Sequence, residues 1–284
     1  MLNIAHRGAR SVAPENTLAA AERARRDGAD MWEFDIRSTK DNEIVLLHDE
    51  SLMRTTDVEE VYPDRSSYRV REFTLTEIRR LDAGSWFCRE DPFGEIERGG
   101  VSDHRLSEYR GSKVPTLREA LELTRELAWR ANLEIKPRHD SRTPESKHLI
   151  RRTVSLLEEL GLEDEVIVSS FEPEVVRELE RLNPRIPLAI LIKEPVADPV
   201  KFLEQNGAKF LNIAASALES EQGVANVEKI GNSGEFGVIV WTVAEFEGLK
   251  KFVANPFIDG IITDYPDRLK ELVGEVRFDR KNSR

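Results

Sequence analysis

Chemically reactive side chains are concentrated at the ends of apolar segments within residues 1–50. His6 and Arg7 follow one such segment, and His48 closes another. Glu33 and Asp35 lie two residues apart inside a third segment. Packing of an apolar core does not require two histidines, two carboxylates and an arginine at such positions. These residue types are those of a site for phosphate chemistry, in which cations bind the anion and histidines exchange protons.

The carboxylates have the spacing of a metal site. Glu33 and Asp35 project from the same face of a strand, because alternate strand residues share a face. Glu134 and Lys136 repeat this spacing in a later apolar segment. Burial of like carboxylates is costly, and a divalent cation bound by Glu33, Asp35 and Glu134 would offset the cost, with all-oxygen ligation suited to Mg²⁺ or Ca²⁺. The alternative is a set of internal ion pairs with Arg7 and Lys136 and no metal.

The remaining candidates suit proton transfer and substrate binding. A lone histidine is usually structural, whereas His6 and His48 at two strand ends suggest an acid and a base. Arg7 and Lys136 are candidate phosphate ligands, although either could instead be a counter-ion for the carboxylates. Trp241 ends a predicted strand and is a candidate apolar wall for a small substrate, with plain core packing as the alternative.

Eight short β-branched segments alternate with amphipathic segments, a pattern typical of βα units and a parallel sheet. The predicted strands are residues 2–5, 30–36, 133–135, 166–169, 188–192, 210–213, 238–242 and 258–263. The first predicted helix covers 14–26, with Pro14 in its first turn. The pattern predicts an α/β fold, a (β/α)8 TIM barrel formed by residues 1–284 as a single domain. A doubly wound sheet is the alternative, but no glycine-rich dinucleotide loop supports it. Asp264, after the last strand, is predicted to be a helix N-cap.

One segment departs from this alternation of strands and helices. Residues 43–48 are strand-like but follow the second strand too closely for a parallel crossover, so we expect a hairpin. A two-residue turn at Asp41-Asn42 would pair Asp35 with His48 and bring the second histidine level with the carboxylates. Residues 51–115 then form a small insertion after the hairpin, which ends at a helix predicted over 116–129. A segment of this length usually carries function, and we expect it to cap the active-site mouth.

Composition limits the partners. The chain has 53 Asp and Glu against 42 Lys and Arg, a net charge of −11 that argues against a nucleic-acid partner. The single Cys88 cannot form an internal disulfide. The first strand begins at residue 2, which leaves no room for a signal peptide, and no apolar run reaches membrane-spanning length. We therefore expect a cytoplasmic protein without stable membrane insertion, of undetermined oligomeric state.

A series of short motifs runs along nearly the whole chain. In order they are His6-Arg7-Gly8, Pro14-Glu15-Asn16-Thr17, Glu33-Phe34-Asp35-Ile36, His48-Asp49, Arg54-Thr55-Thr56-Asp57, Leu81-Asp82-Ala83-Gly84-Ser85-Trp86-Phe87, Pro115-Thr116-Leu117, Leu133-Glu134-Ile135-Lys136, Ser169-Ser170-Phe171, Trp241-Thr242-Val243 and Thr263-Asp264-Tyr265-Pro266. Their order resembles that of the glycerophosphodiester phosphodiesterase family. The resemblance implies a TIM barrel with an insertion after the second histidine, and metal-dependent hydrolysis of glycerophosphodiesters to glycerol 3-phosphate and an alcohol.

The resemblance also implies a role for each matching position. These are His6 and His48 as general acid and base, Glu33, Asp35 and Glu134 as ligands of one divalent ion, Arg7 and Lys136 as phosphate ligands, and Trp241 beside the glycerol. Residues 88–114 are longer and more charged than the insertion of compact relatives, which affects the expected substrate choice rather than the chemistry. Two alternatives remain, a lysophospholipase D or sphingomyelinase D-like phosphodiesterase, and a barrel that binds phosphodiesters without cleaving them.

Overall fold

A computed structural model describes residues 1–137 and 141–282 of the chain, with side chains described up to residue 274. Eight parallel strands close into a barrel, and a ninth strand lies outside it. The strands are β1 (Leu2–Ala5), β2 (Met31–Ser38), β3 (Ile44–Leu46), β4 (Arg130–Ile135), β5 (Val166–Ser170), β6 (Leu188–Ile192), β7 (Phe210–Ala214), β8 (Gly237–Trp241) and β9 (Gly260–Thr263). The ring closes because β1 pairs in parallel with both β2 and β9. The predicted (β/α)8 TIM barrel is confirmed.

Helices surround the barrel and fill the insertion. They are α1 (Leu18–Asp27), α2 (Val58–Val61), α3 (Leu75–Ile78), α4 (Ser85–Glu90), α5 (Asp103–Tyr109), α6 (Leu117–Glu126), α7 (Pro144–Leu160), α8 (Pro173–Leu182), α9 (Pro199–Asn206), α10 (Glu221–Ser233), α11 (Phe246–Ala254) and α12 (Pro266–Asn282), with 3₁₀ turns at Val70–Glu72 and Ala215–Glu219. Among the described residues, no helix is long and apolar enough to cross a bilayer.

The two faces of the strands have different tasks. Outward side chains such as Phe34 and Leu133 pack against the helices in the largest apolar cluster. Inside the barrel, a smaller apolar cluster fills one end, with Ile4, Met31 and Ile262 among its members. Strand side chains alternate between the two faces of the sheet. The inward residues that follow this apolar cluster along each strand therefore lie towards the opposite end of the barrel. That end carries the charged residues.

The first helix begins later than predicted. Thr17 caps α1, its Oγ1 accepting a hydrogen bond from the Ala20 amide at 3.2 Å, so Pro14 lies outside the helix. The intervening Asn16 has φ of +56°, a left-handed conformation that ends any helical run before it. The prediction of a helix from residue 14 was therefore wrong by four residues, and the extra segment belongs to the site.

The hairpin forms, but its register differs from the prediction. The Thr39 amide donates to the Glu43 carbonyl at 2.9 Å, which makes a three-residue turn rather than a two-residue turn. Asn42 adopts φ of +62° in that turn. As a result the Leu47 amide, not that of His48, bonds to the Asp35 carbonyl, at 3.1 Å. The predicted pairing of Asp35 with His48 was wrong by one residue.

The insertion packs in two parts. The first part joins the hairpin, because Leu52, Phe73 and Leu81 share one apolar cluster with Val45. The second part, carried by α4 and α5, packs against the barrel through a separate cluster that includes Phe87. The insertion is therefore built from short helices with apolar contacts of their own, attached both to the hairpin and to the start of α1.

Candidate active site

His6 follows β1 directly and is oriented by a carboxylate from the other end of the chain. Its Nδ1 lies 2.6 Å from Oδ1 of Asp264, which follows β9. Because an ionised carboxylate can only accept, Nδ1 is the donor and Nε2 is left to exchange protons. Burial lowers the pKa of His6 below its ordinary value, against the opposing effect of Asp264. Asp264 contacts His6 and Arg10 rather than the first turn of α12, so the prediction that it is an N-cap was wrong.

His48 has the same arrangement on the opposite side. Its Nδ1 donates to Oδ1 of Asp49 at 2.6 Å, and Oδ2 of Asp49 accepts from Arg54 Nε at 2.6 Å. The hydrogen bond from His48 holds the pKa of Asp49 below its usual range. Arg37 donates twice to the His48 carbonyl, at 2.9 and 2.7 Å, which fixes the backbone. After Lys136 and Arg7, the charge of His48 also contributes to the low pKa of Asp35.

Three carboxylates meet between the histidines. Glu33, Asp35 and Glu134 are all buried, and one oxygen of each lies within 4.8 Å of the others. The sheet register produces this contact, because Asp35 and Glu134 are direct neighbours across β2 and β4. The predicted metal ligands are thus brought together, with oxygen donors of the type that Mg²⁺ and Ca²⁺ prefer.

Two cationic side chains neutralise part of this carboxylate cluster. Lys136 Nζ lies 3.1 Å from Oδ1 of Asp35 and also bonds to Glu134. Arg7 Nε lies 3.4 Å from Oδ2 of Asp35. Although burial opposes its ionisation, Lys136 and Arg7 hold the pKa of Asp35 well below its usual range. The ion pairs weighed as an alternative to a metal therefore exist, centred on Asp35.

Glu33 and Glu134 are left with excess negative charge. Burial and the neighbouring carboxylates raise the pKa of Glu33 well above its ordinary value, and burial and Asp35 raise that of Glu134 to about 7. Glu33 receives the backbone amide of Arg7 at 2.9 Å, but no described Lys or Arg nitrogen lies within ion-pair distance of it. A divalent cation fits this cluster, since it would stabilise the charge that Lys136 and Arg7 leave uncompensated.

This charge distribution predicts a pH-dependent response to metal. Below about pH 7 Glu134 keeps a proton that a cation must displace. Glu33 also keeps its proton at pH values above its ordinary pKa. Without metal, both raised pKa values destabilise the fold as pH rises above the unfolded-state value. We therefore expect Mg²⁺ or Ca²⁺ to raise the melting temperature more at pH 8 than at pH 6, as measured by calorimetry. Equal shifts at both pH values would contradict this assignment.

Left-handed backbone conformations orient the groups that hydrogen-bond to the carboxylates. Arg7 has φ of +54°, which directs its amide to Glu33. Gly8 has φ of +82°, and a Cβ there would lie 2.6 Å from that of Ala20, so only glycine fits. Asn16, also left-handed, donates from Nδ2 to Asp35 at 3.0 Å and accepts from the Asp35 amide at 3.2 Å. The first motifs in the sequence are therefore a scaffold for the carboxylates as well as a source of ligands.

A buried glutamate connects the phosphate-ligand candidate to the insertion. Glu15 is 5% exposed and accepts from Arg7 at 2.9 Å, from Arg10 at 3.0 Å and from both terminal nitrogens of Arg54 at 2.7 and 3.0 Å. Burial opposes ionisation, but Arg54, Arg7 and Arg10 lower the pKa of Glu15 to about 2. Arg54 lies in the insertion, so Glu15 fixes the position of Arg7 relative to that segment. The sequence showed Glu15 only as part of a motif.

Glu15→Gln should lower the free energy of unfolding by about 3 kcal/mol, because it leaves three guanidinium groups around a neutral amide. Urea denaturation measures this, with Glu22→Gln, in an exposed pair with Arg26, as the control. The stabilising effect of Glu15 is present above its unfolded-state pKa and lost as pH falls towards 2. The difference in free energy of unfolding between wild type and Glu15→Gln should accordingly decrease in acid. Equal stability of the Glu15 and Glu22 variants would contradict this role.

Trp241 lies at the mouth of a narrow cleft that reaches the carboxylates. Its Nε1 donates to the Asn212 carbonyl at 2.9 Å, and its ring meets Phe171 edge-on with centroids 5.4 Å apart. The cleft is also lined by His6, Glu33, Glu134 and Ser169. The structure thus places Trp241 beside the first histidine and two metal-ligand candidates.

Two buried side-chain amides line the same cleft, and the sequence analysis did not identify them as site residues. The side chains of Asn132 and Asn212 are fully buried, yet their amide atoms have no hydrogen-bond partner among the described residues. The available signal was a polar residue on the inward face of an otherwise apolar strand. Such groups pair with water or ligand when a site is filled.

The chain is similar to proteins of one family over nearly its whole length. A profile of the glycerophosphoryl diester phosphodiesterase family matches residues 6–268. A glycerophosphodiester phosphodiesterase of Caldanaerobacter subterraneus subsp. tengcongensis is 31% identical over 274 residues, covering 96% of this chain and 97% of that protein.

Solved structures agree. An Oleispira antarctica phosphodiesterase in complex with the product sn-glycerol-3-phosphate aligns with a TM-score of 0.77 at 26% identity, covering 95% of this chain and 96% of that one. A glycerophosphodiester phosphodiesterase of Agrobacterium tumefaciens shares the fold, with a TM-score of 0.70 at 24% identity over 94% of this chain and 98% of that one. The chain therefore belongs to the glycerophosphoryl diester phosphodiesterase family, a family of phosphoric diester hydrolases.

Proposed function

We propose that the chain hydrolyses glycerophosphodiesters to glycerol 3-phosphate and an alcohol, with one divalent cation at Glu33, Asp35 and Glu134. The observation that supports this most strongly is the buried carboxylate cluster, with a carboxylate-oriented histidine on either side. Family membership and the product bound to the Oleispira antarctica relative favour the same substrate class.

The carboxylates suit Mg²⁺ or Ca²⁺ in that role. When bound, either ion would supply positive charge that neutralises the phosphodiester. Glu33 and Glu134 hold the negative charge that attracts it, while Asn16 and the Arg7 amide keep two of the ligands in place. All three ligand candidates come from barrel strands, which position ligands more rigidly than loops do.

Arg7 and Lys136 are the proposed phosphate ligands. Arg7 offers a guanidinium fork, already fixed by Glu15, and Lys136 offers a compact charge beside Asp35. Their ion pairs with the carboxylates do not conflict with this role, because both cations border the cluster where the phosphate must lie. Trp241, across the cleft, is proposed to line the glycerol side.

The histidines are proposed to transfer the protons. One Nε2 takes the proton of the attacking oxygen, and the other donates a proton to the alcohol oxygen as its bond to phosphorus breaks. Asp264 and Asp49 keep each ring in the tautomer that leaves Nε2 free. Each histidine then contributes about 10²- to 10⁴-fold to the rate.

The insertion, residues 51–115, is proposed to cap the mouth. Phe93 meets the Tyr265 ring edge-on at 6.2 Å and lies under the Arg10 guanidinium at 5.1 Å. Glu95 pairs with Arg268 of α12 at 3.1 Å. These contacts carry the insertion to the β9 side of the barrel, beside His6.

A turnover panel tests the proposed function. Glycerophosphocholine, -ethanolamine, -glycerol and -inositol are each incubated with Mg²⁺, Ca²⁺ or EDTA, and released glycerol 3-phosphate is measured. We expect release with at least one metal and none with EDTA. Turnover confined to long-chain lysolipids would instead indicate a lysophospholipase D or sphingomyelinase D-like enzyme. Binding without turnover at saturating metal would indicate a non-catalytic barrel.

A further inference from the structure

A second pocket adjoins the site on the hairpin side. It is partly open to solvent and is lined by Arg37, Arg69, Arg71, Lys136 and Glu50. Lys136 connects this pocket to the carboxylate cluster, since it also contacts Asp35 and Glu134. We call this the anion pocket.

The anion pocket is cationic in an otherwise acidic protein. Four cationic residues and one glutamate line it, while the chain as a whole carries a net charge of −11; of the four cations, Lys136 is already paired with Asp35 and Glu134. Across residues 1–137 and 141–274, the guanidinium groups of Arg69 and Arg71 have no ion-pair or hydrogen-bond partner. Most other site arginines are paired with carboxylates, as Arg7, Arg10 and Arg54 are with Glu15. Two unpaired arginines beside a third cation attract an anionic ligand.

Arg37 is a partly buried member of the pocket. Two of its nitrogens donate to one acceptor, the His48 carbonyl, and no carboxylate of the described chain pairs with it. A guanidinium held away from water without a carboxylate partner is stabilised when an anion binds beside it.

The pocket wall is held by backbone contacts. The Val70 amide donates to the Glu50 carbonyl at 2.9 Å, and Arg69 forms an antiparallel bridge with Ser51. Val70, between the two unpaired arginines, is buried in the apolar cluster of the hairpin. The backbone of Arg69 and Val70 is therefore held beside the hairpin, which places both arginines at the pocket wall.

We propose that the anion pocket binds a phosphate or carboxylate group carried by the alcohol half of the substrate. The proposal rests on the proposed function. Lys136 separates the anion pocket from the cleft of Trp241, where the glycerol is placed, so the alcohol half extends towards Arg37, Arg69 and Arg71. The enzyme accordingly favours diesters whose head group bears an additional negative charge.

Matched substrates isolate that charge. Glycerophosphoinositol 4-phosphate differs from glycerophosphoinositol by one phosphate, and glycerophosphoserine differs from glycerophosphoethanolamine by one carboxylate. For each pair the ratio of kcat/KM, charged over uncharged, is measured for wild type, R69Q/R71Q and the control R80Q. Arg80 is exposed, lies in the same insertion and is absent from the pocket lining. Calorimetric titration with inositol 4-phosphate gives a readout that needs no turnover.

We expect wild type to favour the charged member of a pair, and R69Q/R71Q to lower that ratio about tenfold, as loss of charged hydrogen bonds predicts. R80Q should keep the ratio, and inositol 4-phosphate should bind more weakly to R69Q/R71Q alone. If only one pair responds, that pair identifies phosphate or carboxylate as the ligand. Equal ratios and equal binding in wild type and R69Q/R71Q would overturn the proposal. Absence of turnover on every diester would instead count against the proposed function, and the binding measurement would still decide the pocket.

Discussion

His48→Ala and His6→Ala should each lower kcat by about 10²- to 10⁴-fold, the usual contribution of a positioned acid or base. In both histidines Nδ1 donates to a carboxylate, Asp49 or Asp264, and His6 also lines the cleft. Loss of either ring removes a proton donor or acceptor that water does not replace in the same geometry. Steady-state kinetics on a soluble glycerophosphodiester with saturating metal measure the effect.

The matched control is His104→Ala, since His104 is an exposed histidine of α5. That variant should turn over like wild type. Near-normal kcat in His48→Ala or His6→Ala, with the fold intact by circular dichroism, would show that two-histidine catalysis is wrong.

Glu33→Gln should abolish the response to metal while leaving the fold intact. Burial and neighbouring carboxylates raise the pKa of Glu33, so a neutral amide costs the metal-free protein little. Gln keeps one carbonyl oxygen, but a divalent ion would lose the negative charge of one of its three ligands. We expect kcat to fall about 10³-fold, in line with several kcal/mol of lost charge stabilisation.

Two readouts separate this effect from general damage. The melting temperature without metal should be no lower than that of wild type, because the variant lacks the buried carboxyl group whose raised pKa destabilises the metal-free fold. The increase on adding Mg²⁺ or Ca²⁺ should disappear. Glu43→Gln, at an exposed position of the hairpin turn, should retain both activity and the metal-induced shift. A full metal-induced shift in Glu33→Gln would remove Glu33 from the ligand set.

The alternation of strand side chains predicted the carboxylate cluster correctly. Alternation placed Glu33 and Asp35 on one face and identified Glu134 as their partner, and the register of β2 against β4 confirms that they meet. This works because strand side chains alternate strictly and parallel strand ends share one edge of a barrel. The contact between three carboxylates is a direct consequence of that geometry.

Local backbone choices were harder to predict. The helix predicted over 116–129 ends at Glu126, because Ala128 adopts φ of +44°, which no preference of alanine indicates. The hairpin register shifted by one residue for a related reason, the left-handed Asn42. In each case one residue with a positive φ set the end of a helix or the length of a turn.

Long-range polar pairing could not be predicted at all. Asp264 orients His6 from a distance of 258 residues along the chain, and Glu15 gathers Arg54 from 39 residues away. Neither pair has a periodic signature, because a loop side chain can point in many directions until its neighbours are placed. The candidate residues could be selected from the sequence, whereas the network that orients them required the structure.

The identity of the phosphorus-containing product is the most direct test. The protein is incubated with glycerophosphocholine and Mg²⁺ or Ca²⁺, and the reaction is followed by ³¹P NMR. Hydrolysis on the alcohol side should give glycerol 3-phosphate as the final phosphorus product, with no change in EDTA or with His48→Ala on the same timescale. Formation of phosphocholine and glycerol, or undiminished hydrolysis in EDTA, would contradict the proposed reaction.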